Sequence, residues 1–191
     1  MNSSLQANSE DSDGLERLSD RAVNGADSTL WTYKAHFEAA DSYSRRSRFL
    51  DVGTTAGAAL VTTALVWNEF PNLTVGLAIL TAVAAGYKTA TNPQKTAEAN
   101  YRAGEAYHKL LNEYRDFITL DLPDDSTPPR ELREKYDNLE ARRRELNDDM
   151  PNLHRKWYDR LDDSIYGEIE TTDKAQTQLK KGYEPTRSDT N

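Results

Sequence analysis

The side chains with chemistry to offer are spread along this chain in patterns that do not converge. Asp124-Asp125, Asp148-Asp149 and Asp162-Asp163 are adjacent acids of the kind that bind cations or exchange protons. Neighbours on a helix point about 100° apart, so neither carboxylate of a pair would aim where the other does. His36 lies 16 residues before Val52 and His108 lies 21 after Tyr87. On paired helices that is an offset of about 8 Å, and the two lack the spacing of a metal-binding helix. Arg142-Arg143-Arg144 suggests phosphate recognition, but Glu140 and Glu145 flank it, which reads as a solvated helix face with its own ion pairs. There is no Gly-rich phosphate loop and no GxSxG, and the absence of cysteine excludes a thiolate site. The expectation is a protein that is not an enzyme, with no catalytic, cofactor-binding or metal-ligating residues and no cofactor.

A second pattern involves hydroxyls. Thr55 and Thr62 are seven apart with Glu69 seven further on, and Thr74, Thr81 and Lys88 repeat that spacing. Each set shares roughly one helix face. Thr55, Thr62, Thr74 and Thr81 are therefore candidate pore-lining residues in an assembly of several copies. A competing and simpler role is that each hydroxyl bonds its own backbone or aids helix contact.

These residues sit in an unusual frame. The 191-residue chain is acidic on average, with a net charge of −8, 29% charged residues and a mean hydropathy of −0.84. An acidic field argues against a nucleic acid polymer as partner. Yet between Asp51 and Lys88 only Glu69 carries a charge. Two uncharged runs, Val52 to Asn68 and Phe70 to Tyr87, are 17 and 18 residues long. Crossing a hydrocarbon core takes roughly 17 to 25 apolar residues as a helix. The first run is diluted by Thr, Gly and Ala and the second is stronger, so the two should insert as a pair. Pro71 and the Asn residues around it carry turn chemistry.

The flanks set orientation. Arg45, Arg46 and Arg48 precede the first run and Lys88 and Lys95 follow the second, while the turn has no Lys or Arg. By the positive-inside rule this is a two-span protein of the cell membrane with both termini cytoplasmic. Arg45, Arg46, Arg48 and Lys88 are thus topology or headgroup residues. Gly53 and Gly57 form a GxxxG, and Ala82 with Gly86 a small-xxx-small pair, both suited to helix packing. The alternative is a soluble bundle with a buried hairpin. It is disfavoured because no flanking helix is apolar enough to cover two nonpolar helices.

The expected fold class is all-α: a two-helix transmembrane hairpin at about 50–88, long cytoplasmic stem helices at about 28–49 and 94–120, and further cytoplasmic helices at 130–149 and 151–170. Residues 1–27 are polar and acidic, with no apolar stretch to serve as a signal peptide, and read as a disordered tail. Residues 171–191 read as a second tail. The helical faces would be Leu30, Tyr33, Phe37 and Ala40; Tyr107, Leu110, Leu111, Tyr114 and Ile118; Leu132, Tyr136, Leu139 and Leu146; and Leu153, Trp157, Leu161, Ile165 and Ile169. Pro93 either kinks the second stem or opens it.

The order of features resembles a known family. An aromatic helix (Leu30-Trp31-Thr32-Tyr33-Lys34-Ala35-His36-Phe37) leads into a Ser/Arg-rich junction, Tyr43-Ser44-Arg45-Arg46-Ser47-Arg48. Two short apolar helices and a Tyr/Ala helix (Ala97-Glu98-Ala99-Asn100-Tyr101-Arg102-Ala103-Gly104) follow. This is similar to the SLATT domains, two-transmembrane effectors associated with nucleotide second messengers, over about residues 28–170. The resemblance implies a membrane effector of an antiviral or conflict response that forms a homo-oligomer and perturbs or permeabilises the bilayer; coiled-coil character is a separate expectation. Its implied partners are the lipid bilayer, further copies of itself, and a nucleotidyltransferase-linked partner or its messenger. A non-conducting membrane anchor that recruits a cytoplasmic protein is the alternative function.

Overall fold

The computed structural model describes residues 2–67, 71–124 and 126–162, with side-chain detail in the first helix from Gly14 to Val66. Among the described residues every regular element is helical, as expected. The chain divides into two compact units, one drawn from the stretch up to His36 and from Arg102 onward, the other comprising Phe37–Tyr101.

Helix α1 runs Asn2–Trp67, 66 residues without a proline. It therefore begins well before the expected start near residue 28, and the supposed tail of residues 1–27 is helical from Asn2 onward. From Leu18 onward the reason is a stripe of mostly small side chains. Leu18, Ala22, Val23 and Ala26 are buried and continue the Leu30–Tyr33 face towards the N-terminus. Alanine adds little hydropathy, so this face is hard to see among Asp and Arg.

In the first unit α1 lies antiparallel to α3, which runs Pro93–Asp116. Gly25 faces Tyr114, Tyr33 stacks on His108 at 5.1 Å, and His36 stacks on Tyr107 at 5.5 Å. Leu30, Leu110, Leu111 and Tyr114 form the centre, each no more than 1% exposed. The end of α3 widens into a π-helical turn, Phe117–Asp121, closed by Leu122 N–H donating to the Phe117 carbonyl at 2.9 Å. Phe117 and Ile118 are consecutive and both buried.

A short loop follows, organised by Asp124. Its carboxylate accepts from Ser126 N–H, the Ser126 hydroxyl and the Thr127 hydroxyl, and these bonds hold it below the usual carboxylate range. Helix α4, Pro129–Asp149, opens with proline in its first turn. Only Leu132 on α4 is fully buried, so its apolar contact is narrow, as its sequence suggests. Polar bonds supplement it: Tyr107 Oη donates to Asn147 at 2.8 Å, Tyr114 Oη to Glu140 at 2.6 Å, and Arg142 to Glu113 at 2.7 Å.

The helix expected at 151–170 is not formed over its described part. Residues 151–154 are irregular, and Arg155–Arg160 is a 3-10 segment. The His154 ring accepts from Lys156 N–H at 3.3 Å, and Trp157 N–H bonds the His154 carbonyl at 3.0 Å, so the chain tightens into i,i+3 turns. Trp157 is buried and flanked by Lys156 and Arg160, 4.6 and 4.7 Å from its ring. A single anchored tryptophan replaces the expected stripe. Ile165, Ile169 and the tail at 171–191 lie outside the described residues.

The second unit is the hairpin: the end of α1, helix α2 at Pro71–Thr91, and the start of α3. Pro71 and Pro93 each open a helix, so neither kinks one. Between α2 and α3 sits Asn92, the one non-glycine residue with positive φ (37°) among those described. Its N–H donates to the Lys88 carbonyl at 2.9 Å, and its side-chain oxygen accepts from Lys95 N–H at 3.2 Å. One residue thus closes α2 and caps α3.

Candidate functional site

The hairpin is where apolar composition, small residues and basic flanks coincide. From Asp51 to Val66 the least exposed positions of α1 are Asp51, Thr54, Gly57, Val61 and Ala64, and along α2 they are Thr74, Leu77, Ala78, Thr81, Ala84 and Lys88. These recur every three or four residues and form the seam between the helices. Gly57 is the tight point: a Cβ there would run into the Thr81 hydroxyl.

The expected packing residues separate on this basis. Gly57 lies in the seam, while Gly53 and Gly86 have nothing within 4 Å of where a Cβ would be, and Ala82 is exposed. Within one hairpin, neither the GxxxG nor the Ala82–Gly86 pair acts as a two-residue motif. The four threonines separate too. Thr55 and Thr62 are exposed on the outer face of α1, whereas Thr74 is buried and Thr81 packs on Gly57. Thr62 donates to the Ala58 carbonyl at 2.9 Å and Thr81 to the Leu77 carbonyl at 2.8 Å. One hairpin therefore does not line a continuous path with all four.

At the open end of the hairpin the basic residues find partners that sequence reading did not assign. Lys88 pairs with Asp51, and Arg46 donates to the Tyr87 hydroxyl with its guanidinium 5.1 Å from that ring. The signal was available: Asp51 and Lys88 lie 18 residues before and 19 after Glu69, so folding the chain at the turn sets them opposite. About two and a half turns further out along α1, Phe37 meets Tyr101 at 5.4 Å. Arg45 and Arg48 are exposed.

Outside the seam the hairpin is apolar and uncovered. Val66 is 77% exposed, Leu73 70% and Leu80 68%. Each arm carries an 18-residue window apolar enough to cross a membrane, and only 6% of either window is buried within the chain. Water-soluble monomers rarely leave so large a continuous apolar surface bare. The 21 residues of α2 reach about 31 Å, the thickness of a hydrocarbon core.

The first unit holds its ionisable groups in pairs. Arg143 bonds Glu140 at 2.8 Å, three residues back, and Arg142 crosses to Glu113, so two of the three consecutive arginines are engaged in ion pairs. Burial pushes the Tyr107 hydroxyl up to about 12, and burial with the Glu140 bond raises Tyr114 as well. His36 is 2% exposed against Tyr107, whereas His108 is exposed beside Tyr33, so the two do not share a site. Among the described residues no cluster of three His, Asp or Glu is arranged to hold a metal ion.

A paired apolar hairpin flanked by basic side chains, carried by a chain with a polar-surfaced helical unit, defines a two-span membrane protein. The chain belongs to the SMODS and SLOG-associating 2TM effector domain family 4, which it matches over residues 23–189. The match begins on the buried Val23–Leu30 face of α1, earlier than the resemblance at 28–170 suggested. No curated protein and no solved structure matches the chain.

Proposed function

We propose that this protein is a membrane effector that assembles with further copies of itself and perturbs or permeabilises the cell membrane when a nucleotide-linked signal arrives. The observation that carries the reading is the bare apolar surface of the hairpin in a chain whose other unit is well packed and polar outside. Family membership supports the effector role. The triggering partner would be a nucleotidyltransferase-linked protein or its messenger. A signal acts by stabilising one arrangement of the assembly over another, which requires it to bind the two states unequally. The basic flanks at Arg45, Arg46, Arg48, Lys88 and Lys95 support both termini lying in the cytoplasm. In such an assembly Thr55 and Thr62, the two of the four candidate threonines that face away from the seam, are available to line a path.

The test is reconstitution. Purified protein in dye-loaded liposomes should release the dye when the cognate signalling partner's product is added, and should migrate as an oligomer after mild crosslinking. Liposomes that stay tight under every such trigger, with cells that tolerate overproduction, would sink the proposal.

A second reading, a non-conducting anchor, draws on a specific observation: Thr81 packs within the seam, and the hydroxyls of both Thr81 and Thr62 bond backbone carbonyls of their own helices. Replacing Thr55 and Thr62 by Val distinguishes the two. A conducting assembly should lose most of its leak, and an anchor should behave as before.

A further inference from the structure

Four basic residues ring the open end of the hairpin, and the structure treats them unequally. Arg46 and Lys88 are committed inside the chain, to Tyr87 and Asp51. Arg45 donates only to the Asp41 backbone carbonyl, at a long 3.5 Å, and Arg48 has no ion pair or hydrogen bond among the described residues. Arg45, Arg48, Phe49 and Val52 follow one another at i, i+3, i+4 and i+7, so they share one face of α1. Together they line an open groove of about 380 Å³. Phe49 is 79% exposed and Val52 69%, although both are large apolar side chains. The nearest acid in the hairpin, Asp51, is neutralised by Lys88, and the only acid on the N-terminal side within a turn of the groove is Asp41.

We propose that this groove binds one anionic phospholipid, its phosphate held between the Arg45 and Arg48 guanidinium groups and the start of an acyl chain laid on Phe49 and Val52. Planar guanidinium forks suit phosphate oxygens, and two of them favour a headgroup with net negative charge over a zwitterionic one. A soluble anion would use the arginines and leave Phe49 and Val52 wet. The uncharged run begins at Val52, so the site lies at headgroup depth. The inference rests on the hairpin lying in a bilayer. It goes beyond a topology role, which any basic flank would serve, because it assigns two of the four cations to lipid and two to the fold.

The experiment uses the full chain in mixed micelles of neutral detergent with phosphatidylglycerol or phosphatidylcholine, the retained lipid being counted by native mass spectrometry. Wild-type protein should retain phosphatidylglycerol preferentially, and R45Q/R48Q should lose that preference by about fivefold per arginine removed. The pair K95Q/R102Q, which removes equal charge outside the groove, should keep it. F49S/V52S should weaken lipid retention while leaving the preference for negative charge. Equal loss in K95Q/R102Q, or an unchanged preference in R45Q/R48Q, overturns the site. Displacement of the lipid by millimolar inorganic phosphate overturns the lipid assignment in favour of a soluble anion. If the wild-type chain washes off liposomes in carbonate, the membrane reading itself has failed; integration without lipid preference sinks this inference alone.

Discussion

Gly57 of α1 sits so close to Thr81 of α2 that any side chain at position 57 would occupy the space of the Thr81 hydroxyl. The close approach explains how a helix diluted by Thr, Gly and Ala pairs with a more apolar one: small residues let the backbones touch, and dispersion does the rest. It also makes the contact testable by a two-residue cycle.

Gly57→Ala should weaken the hairpin by about 1–3 kcal/mol, the usual cost of overpacking. Thr81→Ala removes the colliding hydroxyl, so Gly57→Ala/Thr81→Ala should recover most of the loss. Reversible unfolding in detergent, read by helical ellipticity, measures the cycle. Strictly additive effects would show that the two residues do not share the seam.

Gly25 makes a comparable contact in the first unit. A Cβ there would lie 2.9 Å from the Tyr114 ring, whose hydroxyl is tied to Glu140 and which has no exposed surface. The ring cannot swing away without losing that bond. Gly25→Ala should therefore cost about 1–3 kcal/mol in spite of alanine's better helix propensity. A rise in melting temperature would contradict this packing.

Tyr107 supplies a pH signature. Its hydroxyl ionises near 10 in the unfolded chain, and burial pushes it up to about 12 in the fold. The unfolded state therefore loses this proton first as pH rises. The stability linked to Tyr107 is fully present below pH 10 and is lost as pH climbs from 10 through 12. Tyr107→Phe should cost about 1 kcal/mol at neutral pH by losing the Asn147 bond. It should also flatten the alkaline fall in melting temperature relative to wild type, and an unchanged slope would count against the assignment.

Asn92 joins two helices with one residue. Replacing it with Ala removes the side-chain cap on Lys95 N–H and places a Cβ-bearing residue without a local hydrogen bond at a φ of 37°. Asn92→Ala should cost about 1–2 kcal/mol. Asn92→Gly, which keeps the backbone at ease, should cost less. The order of the two melting temperatures decides the point.

Much of this protein was legible along the chain. The uncharged runs, the helix start at Pro71, the basic flanks and the Tyr107–Ile118 face are all local patterns, and helices built on them need only their own neighbours to be recognised. The same logic failed where local pattern and fold part company. The Leu18–Ala26 face was missed because small side chains bury well yet carry little hydropathy. Leu153, Trp157 and Leu161 suggested a helix, but the segment tightened around one buried tryptophan.

Composition and charge placement by themselves determined that the chain is helical, that its middle is a hairpin suited to lipid, and which end of each run is basic. Only the tertiary structure decided which side of each helix meets the other. The rotation of α1 and α2 about their axes is set by the closest contact, Gly57 on Thr81, and a period of seven cannot reveal it because every face of an apolar helix repeats alike. That rotation placed Thr81 inside and Thr55 outside, set Lys88 against Asp51, and left Arg45 and Arg48 facing outward.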